Sequence, residues 1–380
     1  MSQEFVINQK TGEVRQAGSD GPGNFVIDFR KRCEINPYVL AKGVLGLSRL
    51  TTSLHLPVCN WLVTTPPYRH LMLLPRDHLK TSIMRTLAIH MLIQPEESNV
   101  WLPGKEGASF RILLAGETAT NAEHQLSWVE TQFAGNALLR ALWPHRVWQG
   151  NRPKEARWNA KEMVLPRKED YPEASIETIG VGGAVVGRHY DIMMKDDLVT
   201  FAAANSAIVM QEAINWHKTS RALFDHPDTG IEIMLGTRWA VGDLWQDIID
   251  NDPSVEITIR AAIEDSKPIF PEIFSIDSLM RLQRELGPAM FALLYMNSAA
   301  DPSLVDFDPA DFRFFEQIGD MLRFDACERD RDLARLSTDD NDLTPLEAEW
   351  GKPTYPVGTR LSPEVMADVF GQTGVRSKLV

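Results

Sequence analysis

The stretch LLPRDHLKTS, residues 73–82, connects two segments with different hydrophobic patterns. RHLMLLP (69–75) is a short apolar run typical of a buried strand, whereas LKTSIMRTLAIHMLIQ (79–94) has helical spacing. A strand, a short loop and a helix that opens with Lys80-Thr81-Ser82 form the pattern of a phosphate-binding loop. The stretch therefore predicts an α/β fold that has a phosphate site after its first strand.

Two glycines of the phosphate-loop template G-x-x-x-x-G-K-[ST] are replaced, by Leu74 and Leu79. In such a loop, backbone N–H groups and a helix N-terminus point at the phosphates, the lysine reaches them, and the threonine hydroxyl binds Mg²⁺. Glycine eases the backbone but is not a ligand, so its loss does not exclude the site. The loop and helix start supply the candidate phosphate-binding residues Pro75, Arg76, Asp77, His78, Leu79, Lys80, Thr81 and Ser82. The alternative is an ordinary helix N-terminus.

Strand-like and helix-like segments alternate along most of the chain. Strands are predicted at 69–75, 109–116, 157–166, 175–182, 189–197, 231–237 and 255–263. Helices are predicted at 25–63, 79–94, 118–142, 203–224, from about 241, at 276–286 and at 288–296. Such alternation predicts a mostly parallel sheet covered on both faces, and ligands of such sheets bind at the carboxyl ends of the strands.

Polar residues stand at the ends of two later predicted strands. YDIMMKDDLVT (190–200) ends an apolar strand with Asp196 and Asp197. A nucleoside triphosphatase needs one carboxylate for the Mg²⁺ shell, the role that suits Asp196, and a second to polarise the attacking water, which suits Asp197. In IMLGTRWAVGDLW (233–245), Thr237 could sense the γ-phosphate. Each feature alone is also a common polar turn, but together they favour a phosphate-hydrolysing site.

Composition indicates a globular chain with an uneven charge. The net charge is −13, and residues 301–350 hold 15 Asp and Glu against 5 Lys and Arg. No apolar run reaches the roughly 18 residues of a membrane span, and the N-terminus has no apolar signal segment. Three cysteines without C-x-x-C spacing (Cys33, Cys59 and Cys327) argue against a zinc site and fit a reducing cytoplasm.

One segment, 140–168, is rich in basic residues. It contains eight Lys and Arg: Arg140, Arg146, Arg152, Lys154, Arg157, Lys161, Arg167 and Lys168. Trp148 and Trp158 lie within it. The segment is either a track for nucleic-acid phosphates or a solvated surface, and the tryptophans are either stacking platforms or packed side chains.

Four motifs in a fixed order, LPRDHLKTS, ILLAGETATNAE, GRHYDIMMKDDLV and MLGTRW…GDLW, resemble the ATPase domain of tailed-phage terminase large subunits. These proteins package viral DNA, and many carry a deviant loop of the Pro-Arg-x-His-x-Lys-Thr kind. The likeness runs from about residue 36 to about residue 315. It implies a P-loop (ASCE/RecA-like) α/β fold with helices on both faces of a mostly parallel sheet, a helical N-terminal segment and a small lid subdomain.

The resemblance also implies roles for individual residues, with ATP and Mg²⁺ as cofactors. Lys80 and Thr81 would contact phosphate and Mg²⁺, and Asp196 and Asp197 would be the Walker B acid and the catalytic carboxylate; the family usually has Glu at the latter position. The remaining matches are Arg76 as a phosphate contact from the same subunit, Gly236-Thr237-Arg238 as the coupling motif, and Arg188 as an arginine finger toward a neighbouring subunit, with Arg157 as its competitor. The adenine pocket is expected around His55 to Trp61.

The implied domains are a flexible arm (1–24), an ATPase domain (25–300) with its lid (276–300), and an acidic linker or tail (301–380) without a complete nuclease domain. In MLRFD (321–325), Asp325 is a weak nuclease candidate, because no later strands are predicted that could build the nuclease sheet.

The implied function is an ATP-driven translocase of double-stranded DNA in the cytoplasm of a bacterial host. It would form a homo-oligomeric ring, work with a portal protein and a terminase small subunit, and contact DNA phosphates without reading sequence. Two alternatives stay open: a helicase-type P-loop ATPase, and a degenerate remnant that binds DNA or a partner without ATP turnover.

Overall fold

The structure is a computed structural model that forms two compact units, Met1–Asp301 and Pro302–Val380. The residues it describes are 22–64, 69–153, 156–183 and 187–299, together with short strands at 5–7, 14–16, 315–318, 321–324 and 354–356.

Eleven α-helices and three 3-10 helices are present in the described residues. The α-helices are α1 (Pro22–Ile35), α2 (Pro37–Gly43), α3 (His55–Thr64), α4 (Lys80–Leu92), α5 (Ala119–Gly135), α6 (Ala137–Leu142), α7 (Phe201–Ala204), α8 (Ala207–Ser220), α9 (Leu244–Asn251), α10 (Ile276–Leu286) and α11 (Pro288–Leu294). The 3-10 helices are Gly107–Ser109, Pro144–Arg146 and Arg221–Leu223. None of the described helices is both long enough and apolar enough to cross a bilayer.

The strands fall into four sheets. They are β1 (Phe5–Ile7), β2 (Val14–Gln16), β3 (Arg69–Leu73), β4 (Ile112–Gly116), β5 (Trp158–Asn159), β6 (Glu162–Met163), β7 (Ile176–Gly180), β8 (Ile192–Asp196), β9 (Ile231–Gly236), β10 (Glu256–Ile259), β11 (Ile263–Glu264), β12 (Lys267–Pro268), β13 (Phe315–Ile318), β14 (Met321–Phe324) and β15 (Thr354–Pro356).

The largest sheet confirms the predicted α/β class. Its eight strands have the order β10-β3-β9-β8-β4-β7-β6-β5. The strands from β10 to β7 are parallel, and β6 and β5 add an antiparallel edge. Successive side chains of a strand point to opposite faces. Accordingly, Leu71 and Leu73 belong to one apolar core and Met72 and Leu74 to another, so helices cover both faces.

The strand order determines which polar strand ends meet. β9 lies between β3, which leads into the loop, and β8, which carries the acid pair. Because all three strands are parallel, Lys80, Asp196 and Thr237 follow or end them at the same edge. The sequence pattern predicted three strand ends at one edge but not that the Thr237 strand is the central one.

The segment that contains α10 and α11 has an apolar core of its own. Ala262, Leu279, Phe291, Leu294 and Tyr295 form this cluster, against which neighbouring side chains pack. The helices match the predicted helical segments 276–286 and 288–296 within two residues. Residues 276–299, the described part of the predicted lid, are called the lid below.

The predictions for the chain ends and for two segments need correction. The predicted arm (1–24) contains the antiparallel pair β1–β2, and α1 begins inside it at Pro22. The predicted helix 25–63 is three helices, since Asn36 caps a new helix that has Pro37 in its first turn. The predicted strand 157–166 is two two-residue strands, β5 and β6.

The second unit contains a strand pairing that the sequence analysis did not foresee. MLRF forms β14, which pairs antiparallel with both β13 and β15. The expectation that no later strand joins MLRF is therefore wrong, because the partner Thr354–Pro356 lies about thirty residues further on. Asp325 lies outside the described residues.

Candidate nucleotide site

The loop between β3 and α4 adopts the backbone of a phosphate cradle without glycine. Asp77 and Leu79 have φ angles of 63° and 62°, in the left-handed region, and His78 lies between them. Backbones that alternate in this way gather N–H groups into a concave anion site. Leu79 occupies the position of the second missing glycine, and its left-handed conformation costs about 1–2 kcal/mol. Such strain persists only where surrounding contacts hold it.

Two predicted phosphate-binding side chains of the loop point elsewhere. His78 is fully buried, and its ring stacks on Phe274 at a centroid distance of 5.0 Å. Arg76 is exposed, and its guanidinium lies 5.8 Å from the centre of the Trp239 ring. The amide of Arg76 donates to the carbonyl of Leu294 in the lid at 2.8 Å. The loop is thus joined to the lid, and His78 serves the loop through its backbone and its buried ring.

Lys80 and Thr237 are brought together as the sequence predicts. The ammonium of Lys80 donates to Thr237 Oγ1 at 2.5 Å. The hydroxyl of Thr237 donates in turn to the carbonyl of Leu74 at 3.3 Å. Both side chains are buried, so the lysine charge is held in the place where a phosphate-binding loop requires it.

Thr81 and Asp196 form the second contact across the site. The hydroxyl of Thr81 and the amide of Gln125 both donate to Asp196 Oδ2, each at 3.2 Å. Arg85 donates to Gln125 Oε1 at 2.5 Å. Burial, and next the negative charge of Asp197, raise the pKa of Asp196 to about 7. A cation bound beside this carboxyl would favour its ionised form.

Asp197 completes a small cavity at this edge of the sheet. Its φ is 44°, and its amide donates to the carbonyl of Leu235 at 2.9 Å. The cavity has a volume of about 160 Å³ and is lined by Thr81, Ala115, Gly116, Asn121, Ala122, Gln125, Asp196 and Asp197. Asp196 Oδ1 and Asp197 Oδ1 are buried, and neither has a hydrogen-bond partner among the described residues.

These oxygen atoms fit Mg²⁺ held jointly with a nucleotide. Mg²⁺ takes oxygen ligands, and in nucleotide sites it uses one or two protein groups together with phosphates and water. Thr81 and Asp196 supply such groups, and an unpartnered buried carboxylate oxygen gains most from a cation. Among the described residues, no three His, Cys, Asp or Glu side chains form a metal cluster.

The coupling motif connects the site to the lid. Beyond Thr237, Arg238 is buried, and its guanidinium pairs with Asp243 at 3.1 Å. The amide of Arg238 donates to Asn297 Oδ1 at 3.2 Å, and Asn297 Nδ2 donates to the carbonyl of Arg260 at 2.9 Å. A Cβ on Gly236 would lie 2.4 Å from the Trp245 ring, so this position requires glycine.

Arg188, predicted as an arginine finger, lies away from the site of its own chain. It precedes the amino end of β8, whereas Asp196 is at the carboxyl end of the same strand. Its half-exposed side chain pairs with Glu177. Arg157, the competing candidate, pairs with Glu162 at 2.9 Å. Neither arginine joins the cluster around Lys80, so a role for either depends on a neighbouring subunit.

The basic segment is largely engaged within the chain. Arg146 is buried and pairs with Glu106, and Lys168 pairs with Glu96 at 2.8 Å. Arg140 and Arg167 donate to backbone carbonyls. The half-buried Trp148 donates to the carbonyl of Val164, and the guanidinium of Arg152 lies 4.9 Å from the centre of the Trp158 ring. Segment 140–168 is therefore not a continuous stripe of exposed charge, and Lys154 lies outside the described residues.

Sequence reasoning missed Gln125 and Arg85, and it named His55 only as a neighbour of the expected adenine pocket. Asn121 lies in ILLAGETATNAE (112–123) and Gln125 follows four residues later, a spacing that puts both on one helix face toward the strand end. That spacing in the sequence therefore indicates that both side chains belong to the site. His55, the first residue of the range in which the adenine pocket is expected, is buried under the loop.

Comparisons with known proteins give structural matches alone. No family model matches the sequence, and no curated protein matches it. The fold is similar to that of the HK97 bacteriophage large terminase, with a TM-score of 0.39 and 12% identity over 62% of this chain and 48% of that one. It is also similar to the large terminase from a thermophilic bacteriophage, with a TM-score of 0.37 and 10% identity over 70% and 61% of the two chains. This chain thus spans about half of the HK97 chain.

Proposed function

We propose that this chain is an ATP-hydrolysing motor subunit that packages double-stranded viral DNA, in the manner of a terminase large subunit. The observation that supports ATP hydrolysis most strongly is the meeting of Lys80 with Thr237 and of Thr81 with Asp196. These residues come from three widely separated parts of the sequence, the adjacent pair Lys80 and Thr81, Asp196 and Thr237, and they converge at one edge of the sheet. The DNA-packaging role rests on the four ordered motifs of the sequence.

Each residue of the site has a role in this proposal. Lys80 and the loop amides would bind the phosphates, and Thr81 and Asp196 would hold Mg²⁺, which when bound neutralises charge on the phosphates. Asp197 would orient a water and accept its proton, since Asp197 lines the cavity and one of its carboxylate oxygens has no hydrogen-bond partner among the described residues. Thr237, already in contact with Lys80, would register the γ-phosphate.

The lid contacts suggest how hydrolysis would be transmitted. The loop is tied to the lid by Arg76 and Leu294, and the coupling motif is tied to it by Arg238 and Asn297. A change at the phosphates would reach the lid by both routes. We propose that ATP binding closes the lid against the core and that hydrolysis releases it, with DNA held through its phosphates in a ring of subunits on a portal protein.

The test is ATP hydrolysis by the full chain, with duplex DNA, with single-stranded DNA and without DNA. Asp197→Asn should lower turnover by about 100-fold or more, because it removes the group that accepts the proton. Asp228→Asn makes the same chemical change at an exposed site and should have little effect.

The outcomes separate the proposal from its rivals. Turnover stimulated by duplex DNA and lost in Asp197→Asn supports the packaging motor. Stimulation by single strands alone would favour a helicase-type ATPase. No turnover and no ATP binding would mean a degenerate remnant.

A further inference from the structure

His55 lies directly beneath the phosphate loop, although it belongs to α3 and to no recognised motif. The side chain is fully buried. Its Nδ1 accepts the amide of Thr51 at 2.9 Å. Since a neutral imidazole carries one proton, that proton must be on Nε2, which faces the carbonyl oxygen of His78 at 3.4 Å. Burial lowers the pKa of His55 to about 4, which keeps the ring neutral at physiological pH.

His78 repeats this arrangement one step earlier in the loop. Its Nδ1 lies 2.8 Å from the carbonyl oxygen of Arg76, and a carbonyl only accepts, so Nδ1 is the donor. The carbonyls of Arg76 and His78 are therefore both turned toward buried imidazoles. Each is followed by a left-handed residue, Asp77 or Leu79.

This pattern explains how a loop without glycine keeps a cradle. In a concave anion site the amides face one side, so the carbonyls must be satisfied on the other. A buried carbonyl without a partner would be costly, and a loop free to turn it toward the ligand would repel phosphate. The two histidine donors remove both problems.

The rings themselves are held in place by aromatic neighbours. Phe270 is fully buried and contacts His55 edge-on at a centroid distance of 5.1 Å. Phe274 stacks on His78 at 5.0 Å. Packing against the two phenylalanines thus fixes the orientation of the two imidazole N–H groups. These groups in turn fix the orientation of the two loop carbonyls.

We propose that His55 is a positioning residue of the phosphate loop: its Nε2–H holds the His78 carbonyl on the buried side, so that the loop amides face the phosphates. This inference rests on the proposed function, because it assumes that the loop binds the phosphates of ATP. It assigns His55 to the phosphates and not to the adenine base.

The test measures binding of pyrophosphate and of ADP, each with Mg²⁺, to the full chain and its variants. His55→Phe keeps a ring but removes the donor, and His55→Asn has an amide too short to reach the His78 carbonyl. Both variants should lower the affinities for pyrophosphate and for ADP by the same factor, about 5- to 10-fold, which corresponds to the loss of one hydrogen bond. His55→Gln should restore both affinities to within about 3-fold of the wild type, because its amide nitrogen can take the place of Nε2.

A matched control separates positioning from general destabilisation. Val58→Ala removes apolar contact from the same helix at a buried position. It should lower the melting temperature of the chain by at least as much as His55→Phe does, with affinity unchanged. The inference is overturned if Val58→Ala weakens the binding of pyrophosphate as much as His55→Phe does, or if His55→Phe and His55→Asn leave that binding unchanged. It is also overturned if only the binding of ADP is weakened, which would indicate an adenine contact. A wild-type chain that binds neither ligand would overturn the proposed function itself, together with this inference.

Discussion

The ammonium of Lys80 lies 2.5 Å from the hydroxyl oxygen of Thr237, a residue 157 positions later in the chain. The contact exists because β3 and β9 are parallel neighbours, so the residues that follow them meet at one edge. It joins the end of the loop, where α4 begins, to the coupling motif Gly236-Thr237-Arg238. A phosphate that draws Lys80 away would leave Thr237 to find a new partner, which is the behaviour expected of a γ-phosphate sensor.

Thr237→Val should separate turnover from binding. The substitution removes the hydroxyl that contacts Lys80, and ADP has no γ-phosphate for it to sense. We expect ATP turnover to fall at least about 10-fold and ADP affinity to change by less than about 3-fold. Thr219→Val, at an exposed position of α8, is the matched control. Equal losses of turnover and ADP affinity would contradict a sensor role.

Asp196→Asn should stabilise the metal-free fold at alkaline pH. The pKa of Asp196 is raised from 3.8 to about 7, so the folded state binds this proton more tightly than the unfolded state does. The contribution of the protonated carboxyl to the free energy of unfolding is complete below about pH 4 and is lost as the pH rises to about 7. Asparagine does not ionise, so the free energy of unfolding of the variant should exceed that of the wild type by on the order of 2 kcal/mol at pH 8 and by much less at pH 4.

Urea unfolding of both proteins in the presence of a chelator, at pH 8 and pH 4, measures this difference. Other titrating groups are shared by the two chains and cancel in the comparison. A variant that is less stable than the wild type at pH 8 would show that the Asp196 carboxylate is well stabilised in the fold.

Leu79 tests whether the loop backbone needs glycine. Leu79→Gly should bind Mg-ADP within about 3-fold of the wild type, because relief of about 1–2 kcal/mol of left-handed strain offsets lost apolar contact. Leu79→Val should weaken binding at least about 10-fold, because a β-branched residue is a severe outlier at positive φ. Calorimetric titration checks both variants. Equal binding by the two would mean that the loop rearranges when the nucleotide enters.

Gln125 should tune the metal requirement of the site. It donates to Asp196 and accepts from Arg85, so Gln125→Leu leaves the carboxylate less firmly oriented. The Mg²⁺ concentration for half-maximal ATP hydrolysis should rise about 10-fold. Gln211→Leu changes an exposed glutamine on α8 and should leave this concentration unchanged. A loss of turnover that saturating Mg²⁺ does not alter would point to some other role for Gln125.

Hydrophobic periodicity was sufficient to predict most of the main sheet. β3, β4, β7, β8 and β9 lie within predicted strands. Strands buried on both faces read as apolar runs, as in β3 and β4, whereas β7 (IETIG) was predicted from its alternation of apolar and polar residues. The polar residues at the strand ends then predicted the candidate site. The same reasoning failed for 25–63, where proline and capping residues interrupt a helical pattern, and for β15, whose pairing with β14 depends on distant residues.

The finer features of the site depended on tertiary contacts that one sequence does not display. Leu79 adopts a glycine-like φ because the structure around the loop holds it there, against its own preference. His55 reaches the loop from another helix, and Arg85 and Gln125 meet beside Asp196 although they belong to different helices. Spacing along the chain identifies a motif, but the packing of helices and strands determines which other residues contact that motif.

The most direct test of the account is equilibrium binding of ADP with Mg²⁺ to the wild-type chain and to Lys80→Ala. The account predicts one nucleotide per chain for the wild type and at least about 10-fold weaker binding for the variant, since the charged contact to phosphate is removed. No binding by the wild type, or equal binding by both chains, would show that LLPRDHLKTS is not a nucleotide site.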